Sequence, residues 1–143
     1  MRKKMKNDLK ITPCGAKREM RRGRPCINKI SSNGYGFAGR IWIEGKDGTL
    51  FGHGRVILLE RIRQYGSITG AAKSLNMSYR HAWELVDAMS GQSQTPLVEK
   101  STGGKGGGGA VVTEAGERAI KYFWDLNERF KDFLDQEMKE FRL

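Results

Sequence analysis

Residues Ser67 to Met89 have the spacing of a helix-turn-helix, and residues Leu97 to Thr113 follow at once as two short apolar stretches around the loop GGKGGGG. In the first segment Ser67 is placed to cap a short helix carrying Ala71, Ala72 and Leu75. Asn76 and Met77 make the turn, and Ser78 caps a second helix, YRHAWELVDAM. Ala72 is small enough for one helix to cross closely over the other, and asparagine tolerates the left-handed conformation that ends a helix. The glycine-tipped hairpin behind the second helix is the expected wing. The fold class expected is mainly α with small β elements: a winged helix-turn-helix domain with an N-terminal hairpin and a long C-terminal dimerisation helix.

Charge divides the chain unevenly. Of the formal +10, residues 1–39 contribute eleven Lys or Arg against Asp8 and Glu19, whereas residues 40–143 carry fifteen against fourteen acids. A basic segment with few large apolar side chains lacks the means to build a core and suits a flexible arm that follows phosphates through counterion release. A solvated tail of no function has the same composition, and both readings stand. Residues 1–36 are therefore expected to be a basic arm, 37–113 the winged helix-turn-helix domain and 114–143 the C-terminal helix. No run approaches the roughly 18 apolar residues of a membrane span, and the basic start lacks the apolar stretch of a signal peptide, so a cytoplasmic location is expected.

Ordered structure is expected from about Arg40. RIWIEG and TLFG alternate apolar and polar residues around Lys46, Asp47 and Gly48, which predicts a hairpin with Ile41, Ile43 and Phe51 facing the domain. GRVILLERIRQYG then sets Leu58, Ile62 and Tyr65 at helical spacing, with Gly66 as the stop. From a Thr113 cap, with Glu114 and Glu117 in the first turn, the last helix is expected to run to about Phe141, Gly116 being its one weak point. Such a helix is ~40 Å long at 1.5 Å per residue, more than a small domain covers. Ala119, Phe123, Leu126, Phe130 and Phe133, recurring at steps of four and three, are expected to meet a second copy of the chain. The bland alternative is a helix folded back over its own domain.

On the second helix of the motif, Ala82, Leu85, Val86 and Met89 form the inward stripe, with Tyr79 and Trp83 at its margins. Ser78, Tyr79, Arg80, His81 and Glu84 occupy the end that a recognition helix presents to base edges. Arg80 is suited to guanine and Glu84 to cytosine. Ser67, Thr69 and Lys73 on the preceding helix, and Lys100, Ser101, Thr102 and Lys105 on the wing, are the candidates for backbone contact. An ordinary solvated face is the bland reading of such a stripe, and a floppy loop that of the wing tip.

The glycine-rich loop is not a nucleotide site. Gly104 and Lys105 are followed by glycines and then a strand, where a phosphate-binding loop needs Ser or Thr opening a helix. His53 and His81 are the only histidines, and no nucleophile and base stand together, so neither catalysis nor a cofactor is expected. Cys14 and Cys26 lack the spacing of a metal site, and free thiols are expected.

The block GRIWIEGKDGTLFGHGRVILLERI, then GSITGAAKSLNMSYRHAWELVDAM, then LVEKSTGGKGGGGAVVTEAGERAI resembles the N-terminal winged-helix domain of the molybdate-responsive transcription regulators (ModE), related to the LysR-type DNA-binding domain. SYRHAWE and STGGKGGGGA are its most specific parts. The resemblance implies a homodimer on a two-fold operator, regulating molybdate uptake or molybdenum-cofactor genes. It also implies DNA contact by Ser67, Thr69, Ser78, Tyr79, Arg80, His81, Lys100, Thr102 and Lys105. Family members continue into paired molybdate-binding modules, whereas this chain stops at Leu143, so molybdate binding by this chain is not expected. Its expected partners are double-stranded DNA and a second copy of itself. A nucleoid-type binder relying on the basic arm, or a protein-interaction module, is the alternative.

Overall fold

Apolar residues on one side of a short strand pair only matter if a turn returns the chain, and here Gly48 supplies it. In the computed structural model, which describes residues 34–101 and 108–143, Gly48 has φ +103°, a conformation glycine adopts without steric cost. Strands β1 (Ile43–Gly45) and β2 (Gly48–Phe51) pair antiparallel across Lys46 and Asp47, with an irregular register between Ile43 and Glu44. Phe51 is buried and Ile41 and Ile43 lean on the core, as their alternation predicts.

Helix α1 (His53–Tyr65) is the central element: Val56, Leu58, Leu59 and Ile62 are fully buried. It stops at Gly66, whose φ of +66° lets its N–H reach the carbonyl of Ile62 at 2.8 Å. Tyr65, expected on the buried face, is instead half-exposed, because it lies in the last turn. Within α1, burial lowers the pKa of the Arg55 guanidinium, with the Glu44 carboxylate acting in the opposite sense, and Arg55 Nη1 is buried without an acceptor.

Helices α2 (Ile68–Ser74) and α3 (Tyr79–Gln92) cross through small residues, Ala71, Ala72 and Ala82, all buried. The turn between them is closed by local chemistry. Asn76 adopts φ +51°, its N–H donates to Lys73 O at 3.2 Å, and Met77 N–H donates to Ala72 O at 3.0 Å, so the last carbonyls of α2 are satisfied. Ser67 Oγ accepts from Gly70 N–H at 3.0 Å and Ser78 Oγ from His81 N–H at 3.1 Å, which caps both helices. Val86 and Met89 complete the buried stripe of α3, with Leu85 partly covered.

Strands β3 (Val98–Lys100) and β4 (Ala110–Val112) form the wing, with Val98 opposite Val112 and Lys100 opposite Ala110. Helix α4 (Glu114–Glu140) begins where Thr113 Oγ1 accepts from Gly116 N–H and donates to Pro96 O at 2.7 Å. Its N-terminal half belongs to the domain: Ile120 and Phe123 are buried, Trp124 Nε1 donates to Glu60 at 2.9 Å, and Arg63 pairs with Glu117 at 2.7 Å.

The expected dimer stripe is corrected here. Phe123, 1% exposed, fills the core of its own domain and has no surface to offer a partner. Ala119 also packs against that core. Phe130 is half-buried because Gly39 lies against it, so close that a Cβ there would meet the ring at 2.7 Å. Farther along, Tyr35 and Phe37 stack edge-on against Phe141, at 5.6 and 5.3 Å between ring centroids. The chain at Tyr35–Gly39 thus runs beside the distal half of α4, and described structure begins earlier than Arg40. Leu126 is partly buried, and Phe133 remains 55% exposed. Residues 1–33, with Cys14 and Cys26, lie outside the described residues.

Candidate nucleic-acid interface

The exposed end of α3 is made by its own burial pattern. With Ala82, Val86 and Met89 turned inward, the 100° step of a helix leaves Arg80, Glu84 and Asp87 on the opposite side. The Ser78 cap fixes where the first turn begins, so Tyr79, Arg80 and His81 all stand exposed at the N-terminal end. Ser78 itself is exposed, with its Oγ engaged as an acceptor in the cap and its hydroxyl proton left for an outside acceptor.

Arg80 and Glu84 are not independent. Arg80 Nε donates to Glu84 Oε1 at 2.9 Å, and both side chains are solvent-exposed. The pair leaves the two terminal nitrogens of the guanidinium facing outward, the edge that donates to a guanine.

The wing is closed at its own base, bonded to the end of α1 and joined to α3 by one contact. Ser101 N–H donates to Gly109 O at 2.9 Å and Gly109 N–H to Ser101 Oγ at 3.1 Å, which closes the base of the glycine loop. Ala110 N–H donates to Gly66 O at 2.9 Å, joining β4 to the end of α1. Lys100 Nζ lies 4.2 Å from the centroid of the Trp83 ring, joining β3 to α3. Ser101, expected among the backbone contacts, therefore has its oxygen engaged in shaping the wing. Thr102 and Lys105 lie outside the described residues.

On α2, Thr69 and Lys73 are exposed and Ser67 is half-buried, its Oγ serving as the cap. The structure brings the α3 residues, Lys100 and Ser101 onto one connected framework, while Thr69 and Lys73 stand on the neighbouring helix. Trp83 is the member that the sequence pattern did not single out. Its signal is a large aromatic on the second helix of the motif at a position the core does not use. Among the described residues, no group of His, Cys, Asp and Glu has the arrangement of a metal site, and no helix is long and apolar enough to cross a membrane.

Comparison with known proteins follows the same segment. Residues 55–117 match the family of bacterial regulatory helix-turn-helix proteins of the LysR type. The transcriptional regulator ModE of Haemophilus influenzae is 46% identical over 78 residues, covering 54% of this chain and 30% of that protein. The molybdenum transport protein ModE of Azotobacter vinelandii is 35% identical over 100 residues, 70% of this chain and 37% of that protein. The DNA-binding transcriptional dual regulator ModE of Escherichia coli is 46% identical over 69 residues, 48% of this chain and 26% of that protein. The chain spans about a third of the length of these relatives.

Proposed function

We propose that this chain, whose residues 55–117 match the LysR-type regulatory helix-turn-helix and which is similar to ModE regulators over that segment, is a transcriptional regulator that binds duplex DNA in a sequence-specific manner. The observation that carries this reading is the Schellman-closed turn from Ala72 to Met77, followed directly by a capped helix whose first residues are Tyr79, Arg80 and His81. That helix end is exposed beside a hairpin tied to the same framework. Inserted in the major groove, α3 presents Arg80 to base edges, with Tyr79 and His81 flanking it. Lys73, Thr69 and Lys100 lie on elements to either side and meet the phosphates that set the register. Thr102 and Lys105, which lie outside the described residues, are proposed from the sequence as further phosphate contacts.

The reading includes a homodimer on a two-fold operator. Phe133 and Tyr122 are exposed on α4, eleven residues apart and so on one side of the helix, where a second copy of the chain would cover them. Two copies joined through these helices would set their recognition helices about one DNA turn, ~34 Å, apart. The relatives named for molybdenum transport and regulation supply the target class, namely genes of molybdate uptake or molybdenum-cofactor synthesis. No catalysis is assigned to the chain.

Selection of the full chain against a randomised duplex pool tests the reading. Enrichment of a motif with two-fold symmetry is the expected result. Equal binding to every duplex, lost when residues 1–36 are removed, would replace it with a non-specific binder acting through the basic arm.

A further inference from the structure

A tryptophan on the flank of a recognition helix, left 39% exposed, serves neither the core nor an isolated surface. Ala82, Val86 and Met89 already fill the inward face of α3, and Trp83 is not among the residues that pack against the core. Its ring instead lies under the ammonium group of Lys100, 4.2 Å from the centroid. We infer that Trp83 is a positioning residue of the interface, holding the charge of Lys100 at the seam between α3 and the wing before DNA arrives. The inference rests on the DNA-binding reading above and names how one phosphate contact of that site is prepared.

Three observations support the assignment. The backbone beneath Lys100 is already held, because Lys100 is in register with Ala110, Ala110 is bonded to Gly66, and Ser101 is bonded to Gly109 on the adjacent step. What remains free is the four-carbon side chain, whose rotamers must be lost when it meets a phosphate, and a ring that confines them beforehand lowers that loss. Next, the partner is neutral. Among the described residues no carboxylate pairs with Lys100, so the ring orients the ammonium through its quadrupole while leaving the full positive charge for a phosphate oxygen. Arg80, paired with Glu84, has a partner that offsets its charge. Finally, Trp83 is three residues from Arg80, about 60° around the helix at 100° per residue, which sets the held charge at the border of the base-reading face.

The test is a double-mutant cycle on the full chain, read by fluorescence anisotropy with the tightest duplex recovered from the randomised pool. Lys100→Met is expected to lower the slope of log affinity against log salt by about 0.9, the loss of one phosphate contact. Trp83→Leu is expected to weaken binding about two- to five-fold, the range of a part-exposed cation–π pair. In the Lys100→Met background the same Trp83→Leu change should have no further effect, and Lys100→Arg should restore the dependence on Trp83. Equal losses from Trp83→Leu in both backgrounds would mean that Trp83 acts through helix packing alone and would overturn the inference, while leaving the DNA-binding reading intact. A wild-type chain that binds no duplex would remove that reading and the inference with it. Should Trp83→Leu lose helical circular dichroism, Trp83→Met, whose unbranched, flexible side chain suits a helix and fills irregular space, takes its place in the cycle.

Discussion

Arg80 donates its Nε–H to Oε1 of Glu84 at 2.9 Å, one turn farther along the exposed face of α3. Two residues that the sequence offers as separate readers of guanine and cytosine are thereby one unit in the free protein. With Nε occupied, Glu84 steadies the guanidinium of Arg80 on the exposed face of α3.

Removing each member separates these roles. Arg80→Ala should cost about 1–3 kcal/mol and relax preference at one base pair. Glu84→Ala should keep the preferred base and lose only about 0.2–0.5 kcal/mol, the worth of an exposed pair one turn apart on a helix. Titrations against every single-base-pair variant of the selected duplex read both. A shift of preference at a second base pair in Glu84→Ala would show that Glu84 reads a base directly.

Gly116→Ala should destabilise the protein. Elsewhere in a helix this change is favourable by roughly 0.5–1 kcal/mol, and from sequence Gly116 looks like a weak point. In the structure a Cβ there would collide with the carbonyl oxygen of Leu97 and come within 2.6 Å of Val112 Cγ1. The backbone of Leu97 cannot yield, since its carbonyl also accepts from Thr113 N–H at 3.0 Å. A net loss of about 1–3 kcal/mol is expected, as for other overpacked sites. A denaturant melt with an unchanged or higher midpoint would contradict the close approach.

Phe133→Asp and Phe123→Asp should differ in kind. Phe133 is exposed, so its replacement should leave the melting temperature of the domain nearly unchanged while light scattering records a loss of dimer. Phe123 is buried, so an uncompensated carboxylate there should unfold the domain. A Phe133→Asp chain that remains dimeric would place the interface on another part of the molecule.

Arg55→Met should raise the melting temperature. Arg55 Nη1 is buried with no acceptor, a state that costs about 1–3 kcal/mol, and burial holds the guanidinium below its ordinary pKa. Methionine keeps the apolar stem and removes the donors. Glu44, which loses its cationic neighbour, still accepts from Trp42 Nε1 and Thr49 Oγ1. A lower melting temperature by calorimetry would show that attraction to Glu44 outweighs the desolvation.

What the sequence determined by itself is the set of features that depend on residues a few positions apart. Ser67, Ser78 and Thr113 cap the helices their spacing suggests, Asn76 takes the left-handed turn, Gly66 ends α1, and the apolar period of α3 identifies its outward face. Each of these is settled by bonds within one turn, so the residue type carries the answer. Only the tertiary structure decided the rest. Periodicity marks a stripe on α4 as apolar but does not say what covers it, and here the domain takes Phe123, Gly39 takes Phe130, and Phe133 remains open to water. Likewise, Lys100 and Trp83 lie seventeen positions apart, and Gly116 and Leu97 nineteen. Their meeting depends on where the wing closes over α3 and α4, a long-range arrangement set by the shared core.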